Sequence, residues 1–214
     1  MTTIATLVPS KAPNLPLAPQ IYDQQAFDKY SNILRLYFNQ IDNFSASLIS
    51  DVGIGLLRSP YGAFEDTISH TVTANTANAM TFNTTDYSSG VTLVGGSKIT
   101  VTYPGIYNLQ FSTQFQNTDT QLHDVSIWLR INGVDVVGST GYISVPNKHG
   151  SIPGHSINGW NFFVQLNAGQ YVEIWWSTDD ANVTIQAYAV GTSPTRPSTA
   201  SNVATLTFVS ALPA

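Results

Sequence analysis

The stretch Ile106-Tyr107-Asn108-Leu109-Gln110-Phe111-Ser112-Thr113-Gln114-Phe115-Gln116 decides the fold. Tyr107, Leu109, Phe111, Thr113 and Phe115 fall on one side, and Asn108, Gln110, Ser112, Gln114 and Gln116 on the other. A period of two is that of a strand with one face in a core and one outside it. The same alternation recurs in both directions along the chain. Met80 and Phe82 alternate with Thr81 and Asn83; Val125, Ile127, Leu129 and Ile131 with Ser126, Trp128 and Arg130. Phe162, Val164 and Leu166 alternate with Phe163 and Gln165, and Val172, Ile174 and Trp176 with Tyr171, Glu173 and Trp175. Val183, Ile185 and Ala187, then Leu206 and Phe208, complete the series. Turn residues separate the runs: Tyr103-Pro104-Gly105, Asn132-Gly133, Asn167-Ala168-Gly169 and Thr178-Asp179-Asp180. About eight to ten short strands with regular turns predict an antiparallel β-sandwich or barrel.

Upstream the pattern changes. Residues 1–20 carry Pro9, Pro13, Pro16 and Pro19, which fix φ and favour an extended arm, with Leu15, Leu17 and Ile21 available for burial on a partner. In residues 21–50, Phe27, Tyr30, Leu34, Tyr37, Ile41, Phe44 and Leu48 recur at alternating intervals of three and four. This is the spacing of an a/d seam, and it predicts a helix that associates with copies of itself or packs on the rest of the chain. The bulky seam residues favour three strands over two. Gly53, Gly55, Pro60 and Gly62 mark a hinge over 51–62, so the head is expected over 63–214.

Composition narrows the function. Only 10% of residues are charged, against roughly 25% for an ordinary soluble chain. A surface built from Asn, Gln, Ser and Thr suits docking against other protein copies, because few ions need to be desolvated. The net charge of −5 and the lack of a basic cluster argue against nucleic acid as a partner. Cysteine is absent, which removes disulfides, thiolate metal sites and a Cys nucleophile. No apolar stretch approaches the roughly 20 residues of a membrane helix, and the first residues do not read as a signal peptide. Four histidines, His70, His123, His149 and His155, lie outside any Gly-x-Ser-x-Gly elbow or local ligand set. No catalytic residue, metal or cofactor is therefore expected, and the chain reads as a non-enzyme.

The face opposite the core carries Trp128, Phe163, Tyr171, Trp175 and Tyr188. Each such ring buries about 150–250 Å² when covered, so these five are the predicted head interface of a homotrimer. A stacking platform for sugars competes with that reading.

Three segments resemble the globular head of the C1q/TNF-like superfamily: Tyr103-Pro104-Gly105-Ile106-Tyr107-Asn108-Leu109-Gln110-Phe111, Val125-Ser126-Ile127-Trp128-Leu129-Arg130-Ile131-Asn132-Gly133, and Leu166-Asn167-Ala168-Gly169-Gln170-Tyr171-Val172-Glu173-Ile174. The resemblance spans roughly residues 60–210 and implies a trimeric, ten-stranded jelly roll. The chain departs from the vertebrate members in lacking a collagen stalk. The front half, through Leu15-Pro16-Leu17-Ala18-Pro19-Gln20-Ile21-Tyr22 and Asn32-Ile33-Leu34-Arg35-Leu36-Tyr37-Phe38-Asn39-Gln40-Ile41-Asp42-Asn43, resembles the N-terminal segments of tailed-phage, cyanophage-like, virion structural proteins. That resemblance implies a virion location. Residues 1–25 would contact other virion proteins, and the head would act as a capsid decoration, head fibre or tail-fibre appendage. The alternative is a tail module in which loops 117–124 and 138–159 bind host glycan.

Overall fold

The computed structural model describes residues 11–17, 19–49 and 59–212, with side chains described for all of these except 47–49. It divides into two compact units, Met1–Arg58 and Ser59–Ala214.

In the first unit, residues 11–17 form neither helix nor strand, and α1 spans Gln24–Ile49. The helix starts at Gln24, inside the predicted span of 21–50, because Asp23 caps it. The Asp23 carboxylate accepts the Gln25 N–H at 2.9 Å, satisfying a donor of the first turn. Tyr22, just outside the cap, packs against Phe27 with ring centroids 5.6 Å apart, the arrangement of a hydrophobic staple. Phe27 thus serves the helix entrance as well as heading the seam. Ile33, Leu34, Tyr37, Ile41 and Phe44 are half-buried, while Phe27 and Tyr30 are exposed. No described side chain of α1 is buried. The Leu48 side chain and residues 51–58 of the predicted hinge lie outside what the structure describes.

The second unit is mainly β, with antiparallel sheets stacked as a sandwich. Its strands are β1 (Tyr61–Asp66), β2 (Asn78–Ala79), β3 (Thr84–Ser89), β4 (Val91–Val94), β5 (Lys98–Val101), β6 (Gly105–Asn117), β7 (His123–Ile131), β8 (Val134–Asp135), β9 (Gly141–Val145), β10 (Gly154–Leu166), β11 (Tyr171–Thr178), β12 (Val183–Ile185), β13 (Gly191–Thr192), β14 (Thr195–Arg196) and β15 (Asn202–Ser210). Sheet one runs β10-β6-β15-β1-β3, with β12 also on β6; sheet two runs β4-β5-β11-β7-β8, with β2 on β11 and β9 on β7. The alternating residues of β6 point as its sequence demands: Tyr107, Leu109, Phe111, Thr113 and Phe115 are all buried. They meet Ile127, Leu129, Ile174 and Trp176 of sheet two in one core. Trp176 lies against Phe115 with centroids 5.6 Å apart. The Tyr107 hydroxyl keeps a partner by donating to the Tyr103 carbonyl at 2.7 Å, and burial pushes its pKa up to about 12. Asn132 and Gly133 both have positive φ, as a two-residue turn between β7 and β8 requires.

Two expectations need correction. Residues 80–83 do not form a strand, although Met80 and Phe82 are buried as their alternation implies. The segment passes from β2 in sheet two to β3 in sheet one, so its amides bond singly, Met80 to Ile174 and Phe82 to Gly96, instead of along a ladder. The predicted loop 138–159 is largely strand. β9 and the first half of β10 occupy it, and His155 through Gly159 pair with Gln116 through Ser112. Gly141 and Gly154 mark close approach, whereas Gly138 and Gly150 take positive φ in the turns between strands. A Cβ on Gly141 would lie 2.1 Å from the Trp160 ring.

Gly141→Ala is therefore expected to cost about 1–3 kcal/mol by overpacking against Trp160, seen as a lower urea midpoint with an unchanged slope. Adding Trp160→Phe should recover part of that loss, a coupling that independent sites would not show.

Candidate functional site

The five residues predicted for the head interface do not share one surface. Trp128, Tyr171 and Trp175 lie on the outer face of sheet two, on β7 and β11. Phe163 lies on the outer face of sheet one, and Tyr188 sits beside that sheet, bridged to Thr199. The two groups differ in how their own chain treats them.

On sheet two the aromatic residues are covered from within. Trp128 and Trp175 face each other across β7 and β11 with ring centroids 6.5 Å apart. The Arg130 guanidinium lies over the Trp175 ring at 3.8 Å, a cation–π contact. Asp135 ties this arrangement down, accepting from both Trp128 Nε1 and Arg130 Nε. These bonds hold the Asp135 carboxyl below the usual carboxylate range, Arg130 first and Trp128 second. Lys98 covers Tyr171 at 4.9 Å, and the half-buried hydroxyl of Ser97 donates to Glu173. A sugar stacking on Trp175 would have to displace the guanidinium. The face is charged, and its rings are half-buried without a partner chain.

Sheet one is the reverse. The outward positions of β10, β6 and β15 run His155, Ile157, Gly159, Asn161, Phe163 and Gln165; Ile106, Asn108, Gln110, Ser112, Gln114 and Gln116; and Val203, Thr205, Thr207 and Val209. None is Asp, Glu, Lys or Arg. Ile157 and Phe163 are 68% and 67% exposed, large values for apolar side chains in the middle of paired strands. The period of two groups Phe163 with the tryptophans and passes over Ile157, because the alternation in β10 is legible only from residue 162 onward.

Two polar nodes lie elsewhere on the head. At one end, His123 on β7 meets Asp119 at 2.9 Å through Nε2 and Asp179 at 3.3 Å through Nδ1, with Asp180 3.9 Å away. The hydrogen bond that His123 donates to Asp119 raises the His123 pKa above its ordinary value, outweighing desolvation; the same bond, followed by that from the Thr120 amide, lowers Asp119. Asp119, His123 and Asp180 offer ligand atoms within 4.8 Å of one another, and they are the residues that could hold a cation. The imidazole is hydrogen-bonded to Asp119 through Nε2 and lies in ion-pair range of Asp179 through Nδ1, so the node first serves to fasten the 118–122 loop to the β11–β12 turn.

The second node is Asp66, which is buried. Its carboxylate accepts from Ile68 N–H at 2.9 Å, His70 Nε2 at 2.8 Å and Thr81 Oγ1 at 2.8 Å. Thr81 also lies 3.1 Å from the same His70 nitrogen. A Ser–His–Asp type relay needs the acid and the nucleophile on different ring nitrogens, so this trio anchors β1 to its neighbours and does not activate Thr81. His149 and His155 do not converge. His149 sits in a short turn bridged to Ile152, and His155 Nδ1 lies 3.0 Å from the Tyr188 hydroxyl.

No protein-family model matches the chain, and no curated protein matches it. No helix among the described residues is long and apolar enough to cross a membrane.

The His123 node makes a pH-dependent contribution with a defined sign. Because the folded pKa of His123 is raised, its contribution is complete below the unfolded value of 6.5 and is lost as pH climbs through the folded value. Asp119, being lowered, contributes above 3.8 and loses that contribution as pH falls through its folded value. A proton NMR titration should place the His123 midpoint above 6.5 and move it down in Asp119→Asn.

Proposed function

We propose that the chain is a non-enzymatic structural protein of a tailed-phage virion, working as a homotrimer whose head is a C1q/TNF-like jelly roll. The observation that carries this reading is the division of charge between the two outer faces. Sheet two bears Lys98, Asp124, Arg130 and Glu173 and covers its own rings, whereas the β10–β6–β15 face is uncharged and leaves Ile157 and Phe163 exposed. An uncharged face carrying exposed apolar residues can be buried without desolvating ions. Its Asn and Gln side chains both donate and accept, so they suit a copy of the same chain. The head contact is thus assigned to sheet one, keeping Phe163 of the five predicted residues and adding Ile157. Three copies related by a threefold axis close the contact into a ring without leaving an open end.

The helix supports the same reading. Leu34, Tyr37, Ile41 and Phe44 form a continuous stripe that its own unit covers only halfway, and most helical stability in proteins comes from packing such a stripe. Association of α1 with its copies completes that packing. The virion setting rests on the resemblance of residues 15–43 to phage segments. The arm, through residues 1–25, would hold the protein to other virion components as a capsid decoration, head fibre or tail-fibre appendage.

Sedimentation equilibrium on the full chain should return the mass of three 23.2-kDa chains. Phe163→Asp should weaken association by about thirtyfold or more, as for a central interface aromatic. Leu34→Asp should weaken it through the helix, and Trp175→Ser should leave the mass unchanged. A monomer at micromolar concentration, or a trimer indifferent to both Phe163→Asp and Leu34→Asp, would overturn the assembly. Electron micrographs of particles treated with antibody to this chain test the setting, and unlabelled virions would remove it.

A further inference from the structure

A cleft of about 330 Å³ opens on the head between the end of β1 and the segments 187–189 and 198–200. Its polar wall is Glu65, Thr67, Ser69, Tyr188, Ser198 and Thr199, and its apolar part is three alanines. The volume is near the lower end for small-molecule sites. Half of the polar wall is already engaged. Thr67 Oγ1 accepts from Asn83, Ser69 Oγ accepts the Ala187 N–H at 3.0 Å, and the Tyr188 hydroxyl donates to Gln116 at 2.8 Å. These bonds fix the shape of the cleft. The side chains of Glu65, Ser198 and Thr199 make no hydrogen bond or ion pair. Glu65 is half-buried and lines a cleft with no cationic side chain in its wall.

These unused groups specify a ligand chemistry. An ionised carboxylate only accepts, and its two oxygens can take two neighbouring hydroxyl protons at once; the Ser198 and Thr199 hydroxyls can donate or accept. Hydrogen bonds to a charged partner are the stronger kind. The alanine methyl groups and the Tyr188 ring offer apolar surface to the C–H side of a small ring. An anionic ligand would meet an unneutralised carboxylate and be repelled. We propose that this cleft binds a neutral sugar ring, with Glu65 accepting from a pair of its hydroxyls. Glu65 lies past β15 from the β10–β6 face, which the cleft meets only through Tyr188, and the proposal needs neither the trimer nor the virion setting.

Saturation-transfer NMR on the full chain in EDTA, with glucose, galactose, mannose, N-acetylglucosamine and glucuronate, tests this. At least one neutral sugar should receive transfer and glucuronate should not. Glu65→Gln should weaken binding about tenfold, as expected for loss of a charged hydrogen bond. Ala189→Phe should abolish binding by filling the cleft, and neither variant should alter the sedimentation mass. The proposal is overturned by absence of transfer to all four neutral sugars, by equal binding of glucuronate, or by an affinity that either variant leaves untouched.

Discussion

β6 is the constraint on which the head depends. It is paired along thirteen residues to β10 and along most of that length to β15, with β12 on its last three positions. A strand bonded on both edges cannot slip by one residue without turning every side chain over. Here a slip would put Tyr107, Leu109, Phe111 and Phe115 outside and five polar residues into the core. The register of three neighbouring strands is therefore set by the alternation of one. Sheet two is held by the same row from the other side, through contacts such as Phe115 with Trp176.

Fixing β6 also fixes what lies outside. Once its aromatic residues point in, Asn108, Gln110, Gln114 and Gln116 must point out, and β10 brings Ile157 and Phe163 alongside Gln114 and Asn108. The uncharged face thus follows from the core. Sheet two solves its outer face differently, because Arg130 and Trp175 are on adjacent strands and two residues out of line, which lets the guanidinium reach over the ring. Asp135 then neutralises the guanidinium and takes the indole N–H of Trp128. Counting outward aromatic residues alone treats these two situations as one. What separates them is whether a charged neighbour covers the ring.

The sequence carried the sandwich because its strands are amphipathic, and the period of two survives even where no ladder forms, as at Met80 and Phe82. It did not carry the part of β10 that precedes Phe162. Residues 154–161 read Gly-His-Ser-Ile-Asn-Gly-Trp-Asn, with two glycines and two asparagines that favour turns locally. Thirteen paired residues of β6 override that preference, since strand propensity depends on context. The polar nodes were equally hidden. Asp66 ends β1 while His70 and Thr81 lie outside the named strands, and Asp119 and His123 meet Asp179 only because β7 and β11 are neighbours in the sheet. The helix start is set by a local feature, the Asp23 cap, which apolar spacing does not report.

The helix and the head differ in what completes them. The head buries a core of its own, so it can be stable as a separate body, and its outer face asks only for an optional partner. In α1 the cap and the Tyr22–Phe27 staple settle where the helix begins, yet these local terms are worth about 1 kcal/mol each at most. They cannot hold 26 residues against the entropy of the chain. The stripe from Ile33 to Phe44 supplies the remainder only when it is covered. The proposed association through α1 would couple the order of the helix to assembly, whereas association through sheet one would join bodies that are already folded. A trimer built on both contacts would gain specificity from the head and, from the helix, a dependence of folding on concentration.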